Sequence, residues 1–147
     1  MKKIDTLLHA KWLIPVDNKQ RYLEQHSVAI HEGKIIDILP SQAAKESYDA
    51  VVIRDYPGHA LMPGLINSHT HAAMNLFRGI ADDLSLMDWL ENHIWPAEAE
   101  HINEAFVHIG TELAIAEMIR SGTTCFNDMY FFPDVTARVA ADIGIRA

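Results

Sequence analysis

Two histidines separated by one residue, His69 and His71, are the side chains of this sequence whose type and spacing most directly permit chemistry. Neutral imidazole nitrogens are good ligands for zinc, nickel and iron, and residues two apart on a β-strand project from the same face. The pair closes the run MPGLINSHTH, in which a Pro63-Gly64 turn leads into an apolar strand whose last face carries Asn67, His69 and His71. A His-x-His triplet alone is equally well explained by two half-buried hydrogen-bonding groups. Its context favours a shared metal: the strand ends in the pair, and helical sequence follows with no returning hairpin.

Other candidates are ambiguous by type. Trp89 suits either the wall of a pocket for a flat ring or the packed face of a helix. His93, His101 and His108 read as surface or capping residues, and Asp128 lies at the end of an apolar run with no role that its neighbours define. Cys125 has no thiol or histidine close in sequence and reads as a structural thiol rather than a nucleophile.

The elements that must position these groups follow from pattern. Residues 1 to about 60 read as short strands, IDTLLHAKWLI, SVAIHEGKIIDILP and AVVIRDYPGHAL, the second being a hairpin with His31-Glu32-Gly33 at its turn. So few strands bury little apolar surface alone. From Leu61 the order becomes strand, helices, strand, helix, strand start. Ser85 and Asp88 suggest a capping box for a helix that Pro96 should stop. A longer helix is expected from the Asn103 cap to Gly122, with Phe106, Ile109, Leu113, Ile115 and Ile119 as its apolar positions. TTCFNDMYF reads as a buried strand, and Pro133-Asp134 opens a helix through Val135, Val139 and Ile143 to Gly144.

That βα alternation predicts an α/β fold with a parallel sheet and crossovers. A closed (β/α)8 barrel takes roughly 250 residues, so the 147 residues here hold only about two βα units and read as a truncated chain. The expected organisation is part of a β module at 1–60 and the first barrel units at 61–147.

Composition narrows the function classes. The sequence is 49% hydrophobic and 22% charged, ordinary for a globular protein, and its net charge of −8 with no basic stripe disfavours a nucleic-acid partner. No apolar run approaches the roughly 18 residues of a membrane helix, so no membrane partner is expected. Asp5, His9 and Lys11 interrupt any signal-peptide core, and the single cysteine excludes an internal disulfide, which together suit the cytoplasm. A homo-oligomer is left open.

The run MPGLINSHTH resembles the first-strand signature of the amidohydrolase superfamily, in which PG, a short apolar strand and H-x-H bring two metal ligands to the barrel mouth. The continuation HAAMNLFRGIADDLSLMDWLENHIWPAEA is similar to the branch that deaminates purines, in particular the 5-methylthioadenosine/S-adenosylhomocysteine deaminases. The resemblance covers essentially the whole chain and implies a β-sandwich, completed by strands from the far end of the protein, joined to a TIM-like barrel. It also implies that His69 and His71 hold one divalent ion, read as zinc, and that Glu98 binds a small-molecule nucleoside through its ribose hydroxyls. By its residues alone Glu98, beside Glu100 and Glu104, is equally a solvated acidic patch. The implied reaction is hydrolytic deamination, with further ligands and the general acid/base beyond Ala147 and no catalytic residue in this chain, so the chain alone is expected to be inactive. Rivals are a triazine chlorohydrolase, a guanine or cytosine deaminase, or a noncatalytic binding module.

Overall fold

The computed structural model describes residues 1–19 and 21–147. Four strands occupy the first of two units, Met1–Pro63: β1 (Lys2–Leu13), β2 (Leu23–His31), β3 (Lys34–Pro40) and β4 (Tyr48–Leu61). β1, β2 and β3 are successive antiparallel neighbours, whereas β4 returns parallel to β1, giving the order β3-β2-β1-β4. The hairpin turn is tighter than its sequence suggests. His31 pairs with Lys34, which leaves only Glu32 and Gly33 at the corner, both with positive φ (50° and 72°). Two such residues match the right-handed twist of the flanking strands, and Asp5 Oδ2 accepts the Glu32 N–H at 2.6 Å.

A parallel return needs a crossover, and here it is α1 (Ser41–Ser47), a helix that the sequence reading left out. It has seven residues and buries only Ala44, so it offers no apolar period to detect. Ala44 packs with Ile4, Leu7 and Ala29 on one face of the sheet. Leu8, Val28, Ile30, Ile35 and Ile38 border an apolar recess of about 170 Å³ in the same unit, and Ile35 is 66% exposed.

His9 is buried in this sheet and hydrogen-bonded through Nδ1 to Ser27 Oγ. Ser27 donates its own proton to Ser41 Oγ at 2.8 Å, so the imidazole must be the donor in the first bond. Nε2 is then a bare lone pair with no hydrogen-bond partner. A second proton there would create an unmatched buried charge.

The second unit, Gly64–Ala147, contains β5 (Leu65–Thr70) and β6 (Thr123–Asp128), paired in parallel. Between them lie a 3-10 turn (Ala72–Phe77), α2 (Leu86–Trp89), a π-helical turn (Leu90–Ile94), α3 (Trp95–His101) and α4 (Glu104–Arg120); α5 (Pro133–Ile143) follows β6. The unit is α/β with the parallel crossover that the alternation predicts. Arg146 bridges in parallel to Cys125, where the sequence suggests that another strand begins.

Three details depart from the sequence reading. Pro96 does not stop the helical segment: it occupies the first turn of α3, where a missing N–H costs nothing. The π turn immediately before it makes this possible, since the Trp95 N–H reaches back to the Leu90 carbonyl. At Ser85 only half of the capping box forms: Ser85 Oγ accepts the Asp88 N–H, while the Asp88 carboxylate accepts from Asn92. Finally, the strands are less buried than their composition suggests, with Leu65 49% and Ile66 72% exposed, although Phe126 is fully covered.

The packed face of α4 is only partly the one its large apolar residues mark: Ile115 is buried and Phe106 packs against the same core. Ile109, Leu113 and Ile119 are exposed, and the helix packs through Val107, Gly110, Thr111, Ala114, Ile115 and Met118. Small residues let backbones approach. A Cβ on Gly110 would lie 2.7 Å from the backbone of Ala73. Asn103 caps α4 as expected, accepting the Phe106 N–H at 2.9 Å, and Gly122 and Gly144 take positive φ (87° and 89°) past the ends of α4 and α5.

Two outcomes are expected. Gly110→Ala should destabilise the second unit by roughly 1–3 kcal/mol through overpacking against backbone, seen as a lower urea midpoint. For His9, burial holds the imidazole pKa below its ordinary value of 6.5, opposed by Asp55 and assisted by Lys45. The native state then binds fewer protons than the unfolded chain, so the contribution to stability is complete above pH 6.5 and is lost progressively as pH falls below it. Urea midpoints measured between pH 8 and pH 5 should fall below about 6.5, and His9→Leu should flatten that dependence.

Candidate active site

β5 ends at Thr70, so His69 sits in the strand and His71 lies one residue past it, at the start of the 3-10 turn (φ −121°, ψ 77°). The two side chains nonetheless come together. Their ring centroids are 5.0 Å apart and nearly perpendicular, at 81°. Asn67 does not join them as a third donor; its Oδ1 accepts the His69 N–H at 3.3 Å.

The register of β5 on β6 decides what meets His71. Thr70 pairs with Asp128, which brings the residues after β6 alongside the turn after β5. Asp128 Oδ1 accepts the Ala72 N–H at 2.7 Å, and Oδ2 accepts from the Thr136 hydroxyl at 3.3 Å. The Met129 N–H donates to Thr70 O at 3.0 Å, and the Met129 carbonyl accepts from His71 Nδ1 at 2.5 Å. A carbonyl can only accept, so Nδ1 carries the proton and Nε2 of a neutral His71 is left with its lone pair. Metal-ligating histidines are commonly fixed this way, by donating the other ring N–H to a carbonyl or carboxylate. The donor set therefore fits a metal ion. Among the described residues no group of three or more His, Cys, Asp or Glu side chains converges on one point, so an ion held by this pair would need donors in addition to it.

Beside His71 lies a cavity of about 540 Å³, a volume within the range of small-molecule sites. Trp89, Glu98 and Tyr130 line it together with Leu86, Leu90 and Ile94. Trp89, ambiguous by sequence, thus faces the cavity, with its indole N–H donated to Ile80 O at 3.3 Å. Glu98 is half-buried and is brought to the cavity by α3 rather than being left in an acidic surface patch. Its Oε1 accepts the Tyr130 hydroxyl at 2.8 Å. Burial, reinforced by that bond to Glu98, raises the Tyr130 pKa far above its ordinary value, so the phenol remains a donor.

The remaining histidines stay outside. His108 pairs with Glu112 at 3.5 Å along α4, and His101 is exposed beside the Phe77 ring. Tyr130 is the residue that the sequence pattern does not single out, and Asp128, noted there without a role, acquires one here as the acceptor for the Ala72 N–H. The available signal was their place at the end of a β-prone run destined to lie parallel to the His-x-His strand, where barrel enzymes build their sites.

Residues 60–147 match the Amidohydrolase family. The chain belongs to that family. Among its relatives is a 5-methylthioadenosine/S-adenosylhomocysteine deaminase of Saccharophagus degradans, 51% identical over 97% of this chain and 32% of that protein. A solved adenosine deaminase from Xanthomonas campestris with bound zinc is 48% identical, with a TM-score of 0.96 over 99% of this chain and 33% of that one. An atrazine chlorohydrolase of Arthrobacter aurescens complexed with zinc superposes with a TM-score of 0.83 at 23% identity over 96% of this chain and 34% of that one, a likeness of fold alone. This amidohydrolase chain spans about a third of the length of the relatives it matches.

The geometry makes Asp128 the anchor of the turn that carries His71. Asp128→Ala leaves the Ala72 N–H unpaired and frees Thr136, and should cost roughly 1–3 kcal/mol. Hydrogen exchange should show the loss concentrated in the amides of residues 70–74.

Proposed function

We propose that this chain is part of a metal-dependent hydrolase that deaminates adenosine-type nucleosides, 5-methylthioadenosine and S-adenosylhomocysteine among them, releasing ammonia. The observation that carries the reading is the cavity itself, in which one of two adjacent histidines faces a half-buried carboxylate and an indole. The names of the relatives that are about half identical support it. In this reading residues 61–147 are the first units of a (β/α)8 barrel and 1–60 are part of a β-sandwich.

His69 and His71 hold the metal, His71 through Nε2, because Met129 occupies the proton on Nδ1. Zinc fits the imidazole donors, and a bound zinc ion supplies activation of water at neutral pH. Glu98 binds the sugar: Tyr130 occupies Oε1, and Oε2 accepts from the vicinal ribose hydroxyls. Trp89 offers a flat face to the purine, and Leu86, Leu90 and Ile94 exclude water from the apolar part of the ligand.

The experiment uses the intact enzyme. It should bind zinc stoichiometrically and deaminate 5-methylthioadenosine, and His71→Ala should lose both. Glu98→Gln should raise KM for ribosylated substrates roughly ten- to a hundredfold, the cost of removing hydrogen bonds to a charged acceptor. An enzyme for free bases would be indifferent to Glu98→Gln, and a protein that binds no zinc and has no turnover would favour a noncatalytic module.

A further inference from the structure

Tyr130 connects the two ends of the cavity. Its backbone directly follows Met129, whose N–H and C=O hold Thr70 and His71. Its ring lies 6.0 Å from the His71 ring and makes an edge contact with Phe131 at 5.2 Å. Its hydroxyl reaches across to Glu98 on α3, 32 residues away in sequence. A bond between such distant elements, half-buried and 2.8 Å long, fixes the carboxylate relative to the histidine.

The chemistry of the carboxylate gives that bond a purpose. A glutamate on a helix has several rotatable bonds, and freezing them at the moment of binding costs affinity. With Oε1 held by the phenol, the carboxylate plane is set in advance and Oε2 keeps its lone pairs free. Two adjacent hydroxyls can then be met by one oriented acceptor, whereas a sugar without them gains nothing from the orientation. We propose that Tyr130 is a positioning residue that presets Glu98 and thereby selects substrates carrying a vicinal diol over their deoxy counterparts. The inference rests on the reading of Glu98 as the sugar-binding group.

Tyr130→Phe removes the hydroxyl and keeps the ring. In the intact zinc-loaded enzyme, steady-state kinetics should be measured with adenosine and with 2′,3′-dideoxyadenosine, alongside zinc content. The variant should bind zinc as the wild type does and raise KM for adenosine roughly tenfold, the scale of one hydrogen bond to a charged group. Its kcat, and both constants for the dideoxy substrate, should change far less than the KM for adenosine. In a Glu98→Gln background the added Tyr130→Phe change should have a much smaller effect, because its only route to the substrate has been altered. A variant indistinguishable from wild type, or one weakened equally on both substrates, overturns the role of Tyr130 while leaving the functional reading intact. A wild type that deaminates neither nucleoside overturns the functional reading, and this inference with it.

Discussion

A neutral imidazole has one proton and one lone pair, and whatever takes the proton decides where the lone pair points. In this chain the Met129 carbonyl takes it from His71. The arrangement depends on the parallel register of β5 and β6, which sets Thr70 against Asp128. From that register follow three contacts in a row: the Asp128 carboxylate on the Ala72 N–H, the Met129 peptide on Thr70 and His71, and the Tyr130 hydroxyl on Glu98. Three consecutive residues thus fix the turn, the imidazole and the acidic side chain. Loss of the register would move all of them together.

The helices serve the same end by close approach rather than by bulk. Gly110 lets α4 touch the backbone at Ala73, two residues after His71, and Val107, Ala114 and Met118 continue that contact. Arg78 closes the segment from its far side, donating to Glu117 of α4 from Nη1 and Nη2 at 2.9 and 2.6 Å. The turn carrying the histidine is held from below by packing and from the side by hydrogen bonds.

Much of this was legible in the residues. The His-x-His strand, the Asn103 cap, the glycine stops and the parallel crossover all follow from local chemistry, where one residue type has one good place. The errors share a cause. Ile109, Leu113 and Ile119 are exposed on α4, while the packed face combines Val107, Ile115 and Met118 with small residues such as Gly110, where the partner is a backbone that must come near. Pro96 looks like a stop, but a π turn upstream removes the conflict. The partners of Asp128 and Tyr130 depend on pairings 56 and 32 residues apart, which no local pattern encodes.

That π turn also bears on how the segment can vary. A π turn holds one residue more than the α-helical turn it replaces, and each residue in a helix advances the face by about 100°. The extra residue among Leu90–Ile94 therefore sets the rotational phase between Trp89 before it and Glu98 after it, and both line the cavity. Length in this stretch is thus a coordinate of the binding surface. Substitutions there change what the wall is made of, whereas a gain or loss of one residue changes which way the carboxylate faces.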